Sequence, residues 1–237
     1  MTKSLVIAVD GPAGSGKSSA ARGAATALGL RYLDTGSMYR ALTWWMLAQG
    51  LDIADPQVVA KNANSPVIEV TTDPAAPSVR ADGTDVSAEI RSREVSNAVS
   101  AVAAVPEVRG RLVPLQQQII AQACASGPGI VAEGRDIGAV VAPEAAVKVF
   151  LTADEQTRAG RRSADLAADP TATAEVTQDE NRRRDSADAR QTLVAPGAVH
   201  IDSTGLSLEE VVAMIVRMAH PGSPPAPRSP VDTARIT

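Results

Sequence analysis

Five short apolar runs recur along this chain, each followed at once by glycine or polar residues. They are Leu5 to Val9, Leu30 to Leu33, Ile130 to Ala132, Val147 to Leu151 and Ala198 to Ile201. Runs this short and mostly apolar, the first of them rich in Val and Ile, read as buried strands. Stretches of good helix formers lie between most of them. Helices are predicted over Ser19–Leu28, Arg91–Val105, Pro106–Ser126, Asp154–Ala168 and Leu206–Ala219. Ser207 is placed to cap the last of these, ahead of Glu209 and Glu210. The alternation predicts an α/β fold, a five-stranded parallel sheet flanked by helices. Ligands of such sheets collect at the carboxyl ends of the strands. Here those ends carry Asp10 with a glycine loop, Asp34-Thr35-Gly36, Glu133-Gly134-Arg135-Asp136 and Asp202-Ser203-Thr204.

One region breaks the alternation. Val67-Ile68-Glu69-Val70, the turn-rich stretch Asp73 to Pro77, Ser78-Val79-Arg80 and Asp82-Gly83 predict a small antiparallel sheet with tight turns. The expected organisation is a core half over 1–62 and an insertion over 63–105. A second core half follows over 106–220, with a lid at about 155–190. Five prolines and few apolar residues follow His220, so 221–237 is expected to be a disordered tail.

Composition narrows the function. Of 237 residues, 44% are hydrophobic and 21% charged, ordinary for a globular domain. The net charge of −4 argues against broad nucleic-acid or anionic-membrane binding. Cys124 is the sole cysteine and His200 and His220 are the only histidines, so neither a disulfide nor a cysteine–histidine metal cage is expected. No secretory leader and no membrane span is read, and a cytoplasmic monomer is expected.

The most specific chemistry is Gly11-Pro12-Ala13-Gly14-Ser15-Gly16-Lys17-Ser18, which fits G-x-x-x-x-G-K-[ST] between a strand and a helix that opens with Ser19. Converging backbone N–H groups and the helix N-terminus suit phosphate oxygens. Lys17 is placed to reach the β- and γ-phosphates, and the Ser18 hydroxyl to ligate Mg²⁺.

Three further segments carry arginine to the same edge. Asp34 to Arg40 offers a carboxylate, hydroxyls, Tyr39 and a guanidinium. It reads equally as a phosphate and base site or as a capped helix start with Tyr39 in the core. Gly134-Arg135-Asp136-Ile137-Gly138 reads as a phosphate and sugar or base contact, or as a salt-bridged turn. Arg182-Arg183-Arg184-Asp185 through Arg190 reads as a cap over phosphates or as a solvated helix face. Arg158, Arg161 and Arg162 have the helical spacing that brings side chains near one another. Phosphoryl transfer needs positioning and charge neutralisation more than a covalent nucleophile, and no Ser-His-Asp or Cys-His set is evident.

With these motifs in view the chain resembles the bacterial cytidylate kinases from Ser4 to about Ala219. The family's I-x-[IV]-D-G-P-x-[GA]-x-G-K-[GS] matches Ile7 to Ser18, and its D-[ST]-G-x-x-Y-R matches Asp34 to Arg40. Its I-R-x-x-x-[VI]-[SA]-x-x-[VA]-S matches Ile90 to Ser100, its P-x-V-R matches Pro106 to Arg109, and its G-R-D-[IM]-G matches Gly134 to Gly138. The resemblance implies a P-loop kinase core, a monophosphate-binding insertion and an arginine-rich lid. It implies ATP as donor, Mg²⁺, and CMP and dCMP as acceptors. By the same resemblance, Thr35, Tyr39 and Arg40 would hold the monophosphate end. Ser100 and Asp188 would contact the pyrimidine or sugar, and Arg109 the cytosine side or phosphate edge. Arg135 would bind the acceptor phosphate, and Asp136 the cytosine amine or sugar. Arg161 would face the ATP base or phosphates, and Arg184 with Arg190 would close over the transferring group. In one place the chain departs from the family: R-D-x-x-D-x-x-R is followed through Arg184, Asp185 and Asp188, but Arg190 comes after one residue instead of two.

Other classes fit less well. Another small P-loop nucleotide or metabolite kinase shares the loop. Asp202-Ser203-Thr204-Gly205 matches the D-x-x-G of switch GTPases, but it follows the last strand and no N-K-x-D for guanine is found. A nucleic-acid binder built on Arg182–Arg184 conflicts with the acidic balance and scarce aromatics.

Overall fold

The structure is a computed structural model that describes residues 4–165 and 173–220. The expected tail over 221–237, and part of the expected lid, lie outside the described residues.

The chain runs β1 (Leu5–Asp10), α1 (Lys17–Leu28), β2 (Arg31–Asp34), α2 (Thr35–Ala48) and α3 (Pro56–Asn62). Three short strands follow, β3 (Ile68–Val70), β4 (Val79–Ala81) and β5 (Thr84–Asp85). Then come α4 (Arg93–Ala103), α5 (Pro106–Ser126), β6 (Gly129–Gly134), β7 (Val147–Thr152), α6 (Glu155–Asp165), α7 (Ala174–Asp188), β8 (Val199–Asp202) and α8 (Leu208–Ala219). β2, β6, β1, β7 and β8 lie side by side in that order, all parallel. β1 is central, and the chain leaves it toward β2 on one side and later fills β7 on the other. That reversal opens a crevice at the carboxyl end of β1, where the glycine loop begins.

Alternation along each strand divides two cores. Ile7 and Val9 of β1, Val131 of β6 and Tyr32 of β2 point to the face covered by α1 and α8. Ala8, Ile130, Ala132 and Leu33 point to the face covered by α2 and α5. α1 and α8 approach so closely that a Cβ on Gly23 would lie 2.7 Å from Val212 Cγ2. The antiparallel sheet β3–β4–β5 has no separate core. Its Ile68, Val79 and Ala81, with Val86 and Ile90, share one apolar cluster with Met38, Leu42 and Met46 of α2. The helix that carries the Asp34–Arg40 motif is therefore the platform on which the small sheet rests.

The helix ends follow local chemistry. The Ser207 hydroxyl accepts from Glu210 N–H at 3.2 Å while the Glu210 carboxylate accepts from Ser207 N–H at 2.8 Å, a reciprocal cap at the predicted position. Asp34 caps α2 by accepting from Ser37 N–H at 2.9 Å. After β6 the chain makes a π-helical turn over Ile137–Val141, which the spacing did not predict. Its physical reason is Asp10: the carboxylate accepts from Ile137 N–H at 2.7 Å and Gly138 N–H at 2.9 Å. The end of β1 thereby fixes the loop that follows β6.

Candidate active site

The glycine loop is shaped by one close approach and one left-handed backbone position. A Cβ on Gly11 would lie 2.1 Å from the Leu151 carbonyl oxygen, so only glycine lets the loop leave β1 against β7. Gly16 has φ 85° and stands as the N-cap of α1 without a side-chain cap. The loop's carbonyls turn outward and are held by arginines. Arg135 donates to Gly11 O at 3.2 Å, Arg158 to Ala13 O at 3.2 Å and Arg161 to Ser15 O at 3.2 Å. Of the loop's own N–H groups, Ala13 N–H is given to Asp185 at 3.3 Å, while the N-terminus of α1 stays available to an anion.

The three arginines of α6 do not converge, in contrast to the expectation from their spacing. Arg158 is buried behind the loop and ion-paired with Asp185 of α7. Arg161 spans the loop and the end of β8, donating to Ser203 Oγ at 2.9 Å and Ser203 O at 2.8 Å. Arg162 reaches across the cleft to Ser96 Oγ of α4 at 2.6 Å. Each has a different partner because α6 passes between three neighbours.

In front of the loop lies a cavity of about 650 Å³. Its walls bring together Ala13 to Ser19 of the loop, Thr35, Tyr39 and Arg40 of α2, Ser100 of α4, Arg109 of α5, Arg135 and Asp136, Arg161, and Arg184 and Asp188 of α7. Gly11 and Pro12 form the base of the loop outside this lining. Arg190 is exposed and outside it too. Asp34 caps α2 and also holds Arg40 at 2.8 Å, so helix start and guanidinium site are one arrangement. Arg135 pairs with Asp188 at 2.6 Å, and Arg109 pairs with Asp136. Outside this lining, Arg93 of α4 meets Glu180 of α7 at 2.6 Å.

Three cations crowd together beside the loop, Lys17, Arg135 and Arg184. Burial pushes the Lys17 ammonium well below the usual lysine range, and Arg135 and Arg184 push it further. Burial likewise lowers Arg184 to about 10, helped by Arg135. Cations crowded this way are stabilised by a polyanion. Lys17 Nζ meanwhile donates to Pro12 O at 3.1 Å.

Glu133 is a buried carboxylate at the site that motif reading did not single out as a site residue. It ends β6 beside the loop strand, is buried, and accepts from Ser18 Oγ–H at 2.6 Å and Tyr32 O–H at 3.2 Å. Burial pushes its carboxyl up, as does Asp34. The available signal was a carboxylate at the carboxyl end of a predicted strand.

A five-stranded parallel sheet in this order, with the glycine loop at the switch point and a polar, cation-rich cavity in front, defines a P-loop kinase. The chain belongs to the cytidylate kinase family, whose model matches residues 7–221. It is 48% identical to the cytidylate kinase of Streptomyces avermitilis over 219 residues, covering 90% of this chain and 92% of that protein. It is 46% identical to that of Mycolicibacterium paratuberculosis over 218 residues, covering 90% of this chain and 93% of that protein.

Proposed function

We propose that this chain transfers the γ-phosphoryl group of ATP to CMP and dCMP, giving CDP or dCDP and ADP. The observation that carries the reading is that one cavity holds both halves of a two-substrate site. The loop with Lys17 and Ser18 lines the same cavity as Arg40, Arg109, Arg135 and Asp136. ATP lies with its phosphates in the loop and its base toward Arg161. The acceptor phosphate lies among Thr35, Tyr39, Arg40 and Arg135, and the nucleoside among Ser100, Arg109, Asp136 and Asp188. Arg135 and Arg184 face the transferring group, where charge develops on the phosphoryl oxygens. Residues 63–105 close over the acceptor, and α6 and α7 over the donor.

A divalent cation fits the donor set. Ser18 Oγ and the Glu133 carboxylate are 2.6 Å apart, and no cluster of three carboxylate, histidine or cysteine ligands exists among the described residues. That suits Mg²⁺, which takes few protein ligands and fills its shell with water and phosphate oxygens. When bound, Mg²⁺ neutralises charge on the β- and γ-phosphates. Ser18 would ligate it, and Glu133 would orient the hydroxyl and the surrounding waters.

Among the described residues no helix is long and apolar enough to cross a membrane, and nucleotide substrates of this kind support a cytoplasmic location. A coupled ADP-release assay over CMP, dCMP, UMP and AMP tests the reading. Turnover concentrated on CMP and dCMP supports it, and faster turnover of UMP or AMP refutes it.

A further inference from the structure

The chain leaves α7 through a tight turn. Gln191 N–H donates to Asp188 O at 2.9 Å, Thr192 N–H to the same carbonyl at 2.8 Å, and Leu193 N–H to Arg135 O at 3.0 Å. The last bond ties this turn to the loop after β6. The turn presents Gln191 to the cavity and Arg190 to solvent. Continuing the spacing of Arg184, Asp185 and Asp188, the position two residues beyond Ala189 is Gln191. A neutral carboxamide thus stands in the wall where the family's spacing places a cation.

Gln191 Oε1 is buried and has no hydrogen-bond partner among the described residues. Ser100 Oγ and Arg184 Nε, in the same cavity wall, share that condition. A carbonyl oxygen can only accept, so what satisfies Gln191 Oε1 must bring an N–H or O–H. Ionised phosphates bring only acceptors. Sugar hydroxyls and a base amine are donors, and they belong to the nucleoside half of a ligand. The neighbouring carboxylates already hold arginines, Asp188 with Arg135 and Asp136 with Arg109. Gln191 Oε1 is a buried acceptor in this wall that holds no such partner.

We propose that Gln191 is a substrate-binding residue whose carboxamide oxygen accepts from a hydroxyl or amine of the acceptor nucleoside. The proposal rests on the CMP and dCMP reading above. Its test is steady-state kinetics of wild type and Gln191→Met with CMP, dCMP and UMP. Methionine keeps the length and removes the acceptor. KM for the acceptor should rise about threefold to tenfold, the loss of one hydrogen bond, with KM for ATP and kcat near wild type. A rise with CMP that vanishes with dCMP assigns the 2′-hydroxyl. A rise with CMP and dCMP that vanishes with UMP assigns the base amine, and a rise with all three assigns the 3′-hydroxyl. Each pattern supports the proposal. Unchanged KM for every acceptor, or a loss confined to kcat or to ATP, overturns it. Gln191→Leu gives the same readout if the methionine variant does not fold. Wild type inactive on all three acceptors refutes the function and this inference together. Active wild type with an indifferent Gln191→Met refutes the inference alone.

Discussion

The hydroxyl of Ser18 donates to the buried carboxylate of Glu133 at 2.6 Å, linking the last residue of the glycine loop to the strand beside it. Tyr32 donates to the same oxygen from the other side at 3.2 Å. The hydroxyl that the motif assigns to the metal is thus oriented by a second residue whose own position is fixed by the sheet register, Val9 opposite Glu133.

Glu133→Gln should therefore act through the metal. Gln still accepts from Ser18, so the fold persists, but the negative charge is gone. The Mg²⁺ concentration for half-maximal rate should rise about 10- to 100-fold, as expected when a group that orients a metal ligand is changed. A Mg²⁺ titration of the ATPase or kinase rate checks it; an unchanged requirement would place Glu133 outside the metal's surroundings.

Lys17→Ala should lower kcat by about 10²- to 10³-fold, the usual cost of removing one group that stabilises developing charge. The variant should melt no lower than wild type, because a cation buried beside Arg135 and Arg184 is a strain on the empty protein. Normal kcat would remove the loop's catalytic role. Arg135→Ala should raise KM for the acceptor and lower kcat as well, since the proposed site gives Arg135 both the acceptor phosphate and the transferring group; steady-state kinetics with varied acceptor separates the two.

Arg158 and Asp185 brace the loop from behind, and Asp185 also accepts from Ala13 N–H at 3.3 Å. Arg158→Ala leaves that carboxylate and Ala13 O without this donor. Stability should fall by about 1–3 kcal/mol, the range for a partly buried polar group that loses its partner. KM for ATP should rise with it. Denaturant unfolding and ATP kinetics measure the two effects, and a change in only the acceptor KM would contradict the bracing role.

Asp10 gives a pH dependence of known sign. Burial raises its carboxyl from 3.8 to about 6, against the pull of the Ile137 and Gly138 N–H groups. A group whose pKa is raised by folding contributes stability below its unfolded value, and that contribution is lost as pH rises through about 6. The stability of wild type minus that of Asp10→Asn should fall by about 2–3 kcal/mol between pH 4 and pH 7, the equivalent of a shift of this size. A flat difference across that window would show that Asp10 keeps its ordinary pKa.

The strands were legible because each is a compact apolar run ending in a polar cluster, as at Leu5–Asp10 and Val147–Thr152. The Ser207 cap was legible because its partner Glu210 lies within one turn. Asp34–Arg40 was ambiguous in sequence because its two readings hold together: Asp34 caps the helix and clamps Arg40. What spacing could not give was long-range partnership. Arg158, Arg161 and Arg162 share one helix but meet Asp185 of α7, Ser203 just after β8 and Ser96 of α4. The π-helical turn after β6 depends on Asp10, far off in sequence. Charge drew attention to Arg190, whereas the turn after α7 aims Gln191 inward.

The central claim is that one cavity joins a triphosphate site to a cytidine monophosphate site. The most direct measurement is the initial rate of ADP release from ATP with CMP, dCMP, UMP or AMP at equal concentration. The account predicts CMP and dCMP as the fast acceptors; a rate with UMP or AMP well above that with CMP would contradict it.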